Sequence, residues 1–75
     1  MSAPAVKRTA LTARTVKILL TRGGVAHTEL TMVERHGEVI ITGPKERRRD
    51  ASHVLYDAGL ACAPYPDRDW WRRTR

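Results

Sequence analysis

The sequence predicts a small α+β domain in which an antiparallel sheet carries two helices on one face, in the order α-β-β-α-β. Three observations lead there. Apolar residues recur at helical spacing ahead of Gly23-Gly24 and again ahead of Gly59. A period-two pattern precedes the stretch Glu34-Arg35-His36-Gly37-Glu38 and a β-branched run follows it. Glycine or proline separates the segments. An extra edge strand at either terminus fits the pattern, and at the N-terminus, over residues 3–8, it would make the order the ferredoxin-like β-α-β-β-α-β.

Residues 2–8 read as a polar, proline-interrupted lead. Thr9 or Thr12 then suits the N-cap of a first helix reaching about Arg22, because a threonine oxygen accepts from a free N–H of the first turn. Leu11, Ile18 and Leu19, with Val16 and Leu20 beside them, supply its apolar positions, and Arg14, Lys17 and Arg22 are left to water. From Val25 to Thr42 the period drops to two. Leu30 and Met32 alternate with Glu29, Thr31 and Val33, and Val39-Ile40-Ile41-Thr42 follows a short polar connection. Gly37 there tolerates positive φ, which marks a β-hairpin. Pro44 opens a second helix, since its missing N–H would have no partner in the first turn. Ala51, Val54, Leu55 and Ala58 stand at i, i+3, i+4 and i+7, and Gly59 suits the C-terminal cap. Residues 60–65 read as a strand and 66–69 as a turn. Residues 70–75 read as a final strand or a frayed tail.

With 75 residues there is room for one core, so the expected organisation is a flexible lead at 1–8 and a single α+β domain at 9–75. Cys62 is the one cysteine, which excludes a disulfide framework within the chain and fits a reducing, cytoplasmic address. The longest apolar run, Ile18-Leu19-Leu20, is far too short to span a bilayer, so no membrane partner is expected. Net charge is +6 and unevenly spread: residues 1–23 carry five bases and no acid, residues 24–43 are mildly acidic, and residues 68–75 are basic again. Such a chain attracts polyanions at long range, with an affinity that salt screens. Of the 14 basic residues 11 are arginine, a skew that GC-rich coding produces, as in actinobacteria and their phages.

The expected function is a small basic accessory protein that binds DNA or RNA. Arg14, Lys17, Arg47, Arg48, Arg49, Arg72 and Arg73 are the expected phosphate contacts. Guanidinium groups recognise phosphates bidentately, and the run Lys45-Glu46-Arg47-Arg48-Arg49 falls at a helix N-terminus, where free N–H groups also favour anions. Trp70 and Trp71, interleaved with Arg68, Arg72 and Arg73, have the chemistry that stacks bases beside phosphates or forms an interface hot spot. Consecutive strand residues face opposite ways, so at most one of the two tryptophans enters the core. The competing expectation is a protein-interaction module: a phage-encoded modulator of a host protein, a binder of an acidic protein surface, or a self-associating homodimer subunit docking through the exposed tryptophan and the hairpin edge.

Catalysis is not expected. His27, His36 and His53 fall in a loop, a turn and a helix without ligand spacing, Glu29 and Glu34 point to opposite faces, and Cys62 sits among small apolar neighbours. No metal and no cofactor is expected. A helix ending in glycine, the two strands, a Pro44-led segment and a helix ending Asp57-Ala58-Gly59-Leu60 together resemble, over residues 16–60 and in outline, the small HicA-type RNA-cleaving toxins. The Gly-Ser-His motif of that family's first strand is absent here, with His27-Thr28 near its place, so the resemblance carries over no RNase activity.

Overall fold

The computed structural model describes residues 10–74. The expected lead at 1–8, the optional strand at 3–8 and the alternative cap Thr9 lie outside the described residues. The elements are α1 (Ala13–Arg22), β1 (Thr31–Arg35), β2 (Glu38–Thr42), α2 (Lys45–Asp57), β3 (Leu60–Pro64) and β4 (Arg68–Arg73). This is the expected α+β class, with the additional C-terminal strand formed. All neighbours in the sheet are antiparallel, in the order β1-β2-β4-β3. The last strand therefore inserts beside β2, and β1 and β3 become the two edges. Among the described residues no helix is long and apolar enough to cross a membrane.

Thr12 is the cap of α1, its hydroxyl accepting from the Thr15 amide at 3.2 Å. The carboxylate of Glu34 on β1 accepts from the Ala13 amide at 2.9 Å, so a strand side chain satisfies a second free N–H and places negative charge at the positive end of the helix. Val16 and Leu20 face inward. Ile18, expected among the apolar positions, is instead 44% exposed. It lies at i+4 from Arg14 and i−4 from Arg22, on the outer stripe of a helix whose inner stripe is set by Val16 and Leu20.

The β1–β2 hairpin turns on two residues, with Arg35 paired to Glu38 and His36 and Gly37 at φ 54° and 78°. Two successive positive φ values define a type I′ turn, whose twist matches that of the strands. Asparagine, whose short polar side chain can hydrogen-bond locally, visits this region more routinely than histidine. His36→Asn is expected to raise stability by a few tenths to about 1 kcal/mol, read as an upward shift of the thermal midpoint. A downward shift would mean that the imidazole makes a contact that outweighs the strain. Gly43, after β2, is required for a different reason: at φ 143° a Cβ there would lie 2.7 Å from the Glu29 carbonyl oxygen.

Pairing in register divides the sheet into two faces. Met32, Val39, Ile41, Cys62, Asp69 and Trp71 point toward the helices, where Val39, Ile41 and Trp71 join Leu11, Val16, Leu20, Ala51 and Leu55 in one core. Trp71 is fully buried, and its ring meets Tyr56 of α2 edge-on at 4.9 Å. Arg48 is the other anchor of α2. It is 6% exposed; its Nε donates to Gly43 O, its Nη1 to Asp69 Oδ1 at 3.2 Å and its Nη2 to Pro66 O. One guanidinium thus ties the β2–α2 connection, β4 and the β3–β4 turn together. Burial pushes the Asp69 carboxyl above its ordinary value, outweighing the pull of Arg48 in the other direction.

Candidate nucleic-acid interface

Among the described residues no element packs on the face of the sheet away from the helices, although Ile40 in its middle is buried by its neighbours. Alternation along β4 turns Arg68, Trp70 and Arg72 to this side while Asp69, Trp71 and Arg73 turn inward. Register then builds rows across the four strands. The central row is Val33, Ile40, Trp70 and Ala63, entirely apolar, with Val33 51% exposed at the β1 end. Thr31, Thr42 and Arg68 form the row nearest the β3–β4 turn, and Arg35 and Glu38 lie on the opposite flank, as do Ala61 and Arg72.

Trp70 is half-buried at the middle of the face, and Tyr65 stands beside it with ring centroids 6.4 Å apart and planes at 57°. The Arg68 guanidinium lies over the Tyr65 ring, 4.9 Å from its centroid, and bonds Asp67 at 3.1 Å. Glu38, Ala63, Tyr65, Trp70 and Arg72 line a hollow of ≈ 200 Å³. The Trp70 Nε1–H is buried, with no acceptor among the described residues. The face therefore carries two aromatic rings and three arginines, opposed by Glu38 on the face and Asp67 in the turn.

The expected site residues do not converge on one surface. Arg14 and Lys17 flank Ile18 on the outer stripe of α1, in the helix layer and so on the opposite side of the sheet from Trp70. Arg47 is exposed on α2 but held by Glu29 at 2.9 Å and Asp50 at 3.5 Å. Hydrogen bonding to Glu29 keeps its guanidinium more firmly protonated than usual. Arg49 is exposed on the same helix. Arg48 is not a phosphate contact: it is enclosed and all three of its nitrogens are spent on protein acceptors. Trp71 does not stack on a ligand, because it is the centre of the core. Arg73 points to the helix side and donates to Ala10 O at 2.9 Å. Of the expected set, Trp70 and Arg72 alone share the open face.

Three residues outside the expected set join them: Arg35, Tyr65 and Arg68. The period-two spacing of Arg68, Trp70 and Arg72 was the available signal for Arg68. Arg35 and Tyr65 reach this face only through strand pairing, which no local pattern carries.

A second hollow of ≈ 490 Å³ opens on the helix side, where α2 meets the β3–β4 turn, with Lys45, Arg49, Tyr56, Cys62 and Tyr65 among its walls. Burial pushes the Cys62 thiol up, which keeps it protonated and weakly nucleophilic. His27 reaches Thr21 at 3.4 Å and His53 lies in the groove beside Arg47 and Asp50. Among the described residues no three of His, Cys, Asp or Glu are grouped as metal ligands.

No family model matches the chain, and neither a curated protein nor a solved structure matches it closely enough to identify a relative. The outline shared with HicA-type toxins gains no support from these comparisons.

Proposed function

We propose that this protein binds single-stranded nucleic acid across the open face of its sheet. The observation that carries the reading is the placement of Trp70 in the middle of a sheet face on which no described element packs, with Tyr65 beside it at the β3–β4 turn and Arg35, Arg68 and Arg72 around them. Bases stack on such rings whatever their sequence, at about 1–3 kcal/mol each, and the arginines take the phosphates that run alongside. The exposed part of the Trp70 ring offers a surface that a base in a duplex, already stacked on its neighbours, cannot use. Sequence preference is not expected, since nothing on the face is arranged to read base edges. The basic stripe of α1 faces away and serves long-range attraction rather than the same contact.

Fluorescence anisotropy with labelled mixed-sequence single-stranded DNA and RNA, competed by duplex, tests this at several salt concentrations. Trp70→Ala is expected to weaken binding by roughly 5- to 160-fold, the range that one lost stacked base implies. Trp70→Phe should retain most of the affinity, because it keeps a stacking ring and removes a donor that has no acceptor. Arg72→Ala should flatten the slope of log affinity against log salt by about 0.7. Equal binding of duplex, unaffected by Trp70→Ala but lost on changing Arg14 and Lys17, would move the site to α1. Absence of binding would leave the arginines without a nucleic-acid role and favour a protein partner.

A further inference from the structure

We propose that two copies of the chain join edge to edge through β1, antiparallel and centred on Val33, so that two four-stranded sheets become one of eight strands. The two edges of the sheet differ in how they resist such pairing. At the β3 edge, Tyr65 N donates to Arg68 O at 2.8 Å and closes that hairpin. Alternation from this bond turns the backbone of Pro64, Cys62 and Leu60 outward. Pro64 has no N–H to offer there, and a proline in that position is a common guard of a sheet edge.

β1 has no such guard. Arg35 and Glu38 close its two-residue turn, so Arg35, Val33 and Thr31 direct their backbone groups to β2, and Met32 and Glu34 direct theirs outward. No strand among the described residues pairs with that outer side. Thr31, Met32 and Val33 carry neither charge nor proline, and the Glu34 carboxylate is turned to the Ala13 amide. A second copy centred on Val33 pairs Met32 with Glu34 of that copy and Glu34 with its Met32. These are the residues whose backbone groups are directed outward.

The register also accounts for the exposed Val33. In this arrangement Val33 faces Val33 of the second copy in a non-hydrogen-bonded pair, the kind in which side chains come closest, with Cα atoms about 4.5 Å apart. Thr31 then stands opposite Arg35 and Met32 opposite Glu34, so no like charges meet. The apolar central row becomes continuous from one Ala63 to the other. Its consequence for ligand length rests on the nucleic-acid reading of the open face: the two Trp70 rings, five strand spacings or roughly 24 Å apart, lie on one surface that a single strand can cross.

Disulfide trapping in a Cys62→Ala background tests the pairing and its register. Val33→Cys is expected to form a covalent dimer under mild oxidation. Thr31→Cys alone should not, because each copy sits roughly 13 Å from its equivalent, whereas Thr31→Cys mixed with Arg35→Cys should cross-link. Sedimentation of the unmodified chain is expected to show mass doubling with concentration, abolished by Val33→Lys, a substitution at an exposed site that sets like charges opposite each other. A monomer at every concentration would overturn the proposal. So would cross-linking at Ala61→Cys on the β3 edge, or at Arg72→Cys within the open face, in place of residue 33. A monomer that still binds single strands through Trp70 would refute the edge pairing alone. A Val33-linked dimer that binds no nucleic acid would refute the reading of the face alone.

Discussion

Replacing Arg48 with methionine is expected to cost about 3–5 kcal/mol at neutral pH, the range for a buried ion pair that loses one partner. A domain of this length has roughly 4–11 kcal/mol in all, so the variant should be at the edge of unfolding at ambient temperature. Methionine keeps an apolar stem on the buried side of α2 and removes the charge, so the loss is electrostatic rather than a cavity effect. It leaves Asp69, 8% exposed, without its cation, and strips the donors from Gly43 O and Pro66 O. Adding Asp69→Leu should recover a large part of the loss, because an apolar pair can replace a buried ionic one nearly neutrally.

The acid range supplies an independent check. The Asp69 carboxyl is raised above its unfolded value in the native protein, and without Arg48 it rises further. Between the unfolded and folded values the native state binds more protons than the unfolded chain, so stability falls as pH rises through that window. The deficit of Arg48→Met relative to the parent should therefore narrow as pH is lowered, followed by urea denaturation at several pH values. A deficit that is constant with pH would mean that the lost carbonyl contacts, not the stranded carboxylate, dominate.

The second large effect concerns the adjacent tryptophans. Trp71→Ala is expected to cost about 3–5 kcal/mol, since it empties the centre of the core and removes the edge-on contact with Tyr56. Trp70→Ala, one residue earlier, should leave the chain folded and act mainly on ligand binding. Tryptophan fluorescence separates the two: in Trp70→Phe the remaining emission comes from an enclosed indole, and only unfolding should shift it strongly to the red. Equal destabilisation by the two alanine substitutions would contradict the assignment of opposite faces.

Much of the fold was legible because it rests on local rules. Thr12 as a cap, the glycine-bearing hairpin, Pro44 ahead of a helix and Gly59 after it each follow from backbone chemistry within a few residues. The split of Trp70 and Trp71 between two faces follows from strand alternation. The burial of Arg48 also has a local signal: it stands three residues before Ala51 and seven before Leu55, on the buried stripe of α2, although it lies within a run of charged residues. Ile18 shows the converse, since apolar character alone does not give helix phase.

The sequence by itself determined the α+β class, the order of its first five elements and the basic, arginine-rich character of the chain, because propensity, periodicity and composition act over short distances. Which arginines share a surface was decided only by tertiary structure. The insertion of β4 between β2 and β3 brings Arg35, Tyr65, Arg68, Trp70 and Arg72 to one face and sends Arg14 and Lys17 to the other side of the sheet. It leaves β1 as an edge, so the backbone of Met32 and Glu34 is directed away from the sheet. Strand order follows from which arrangement buries Trp71, Val39 and Ile41 beneath both helices, a balance of long-range contacts that no window of neighbouring residues contains.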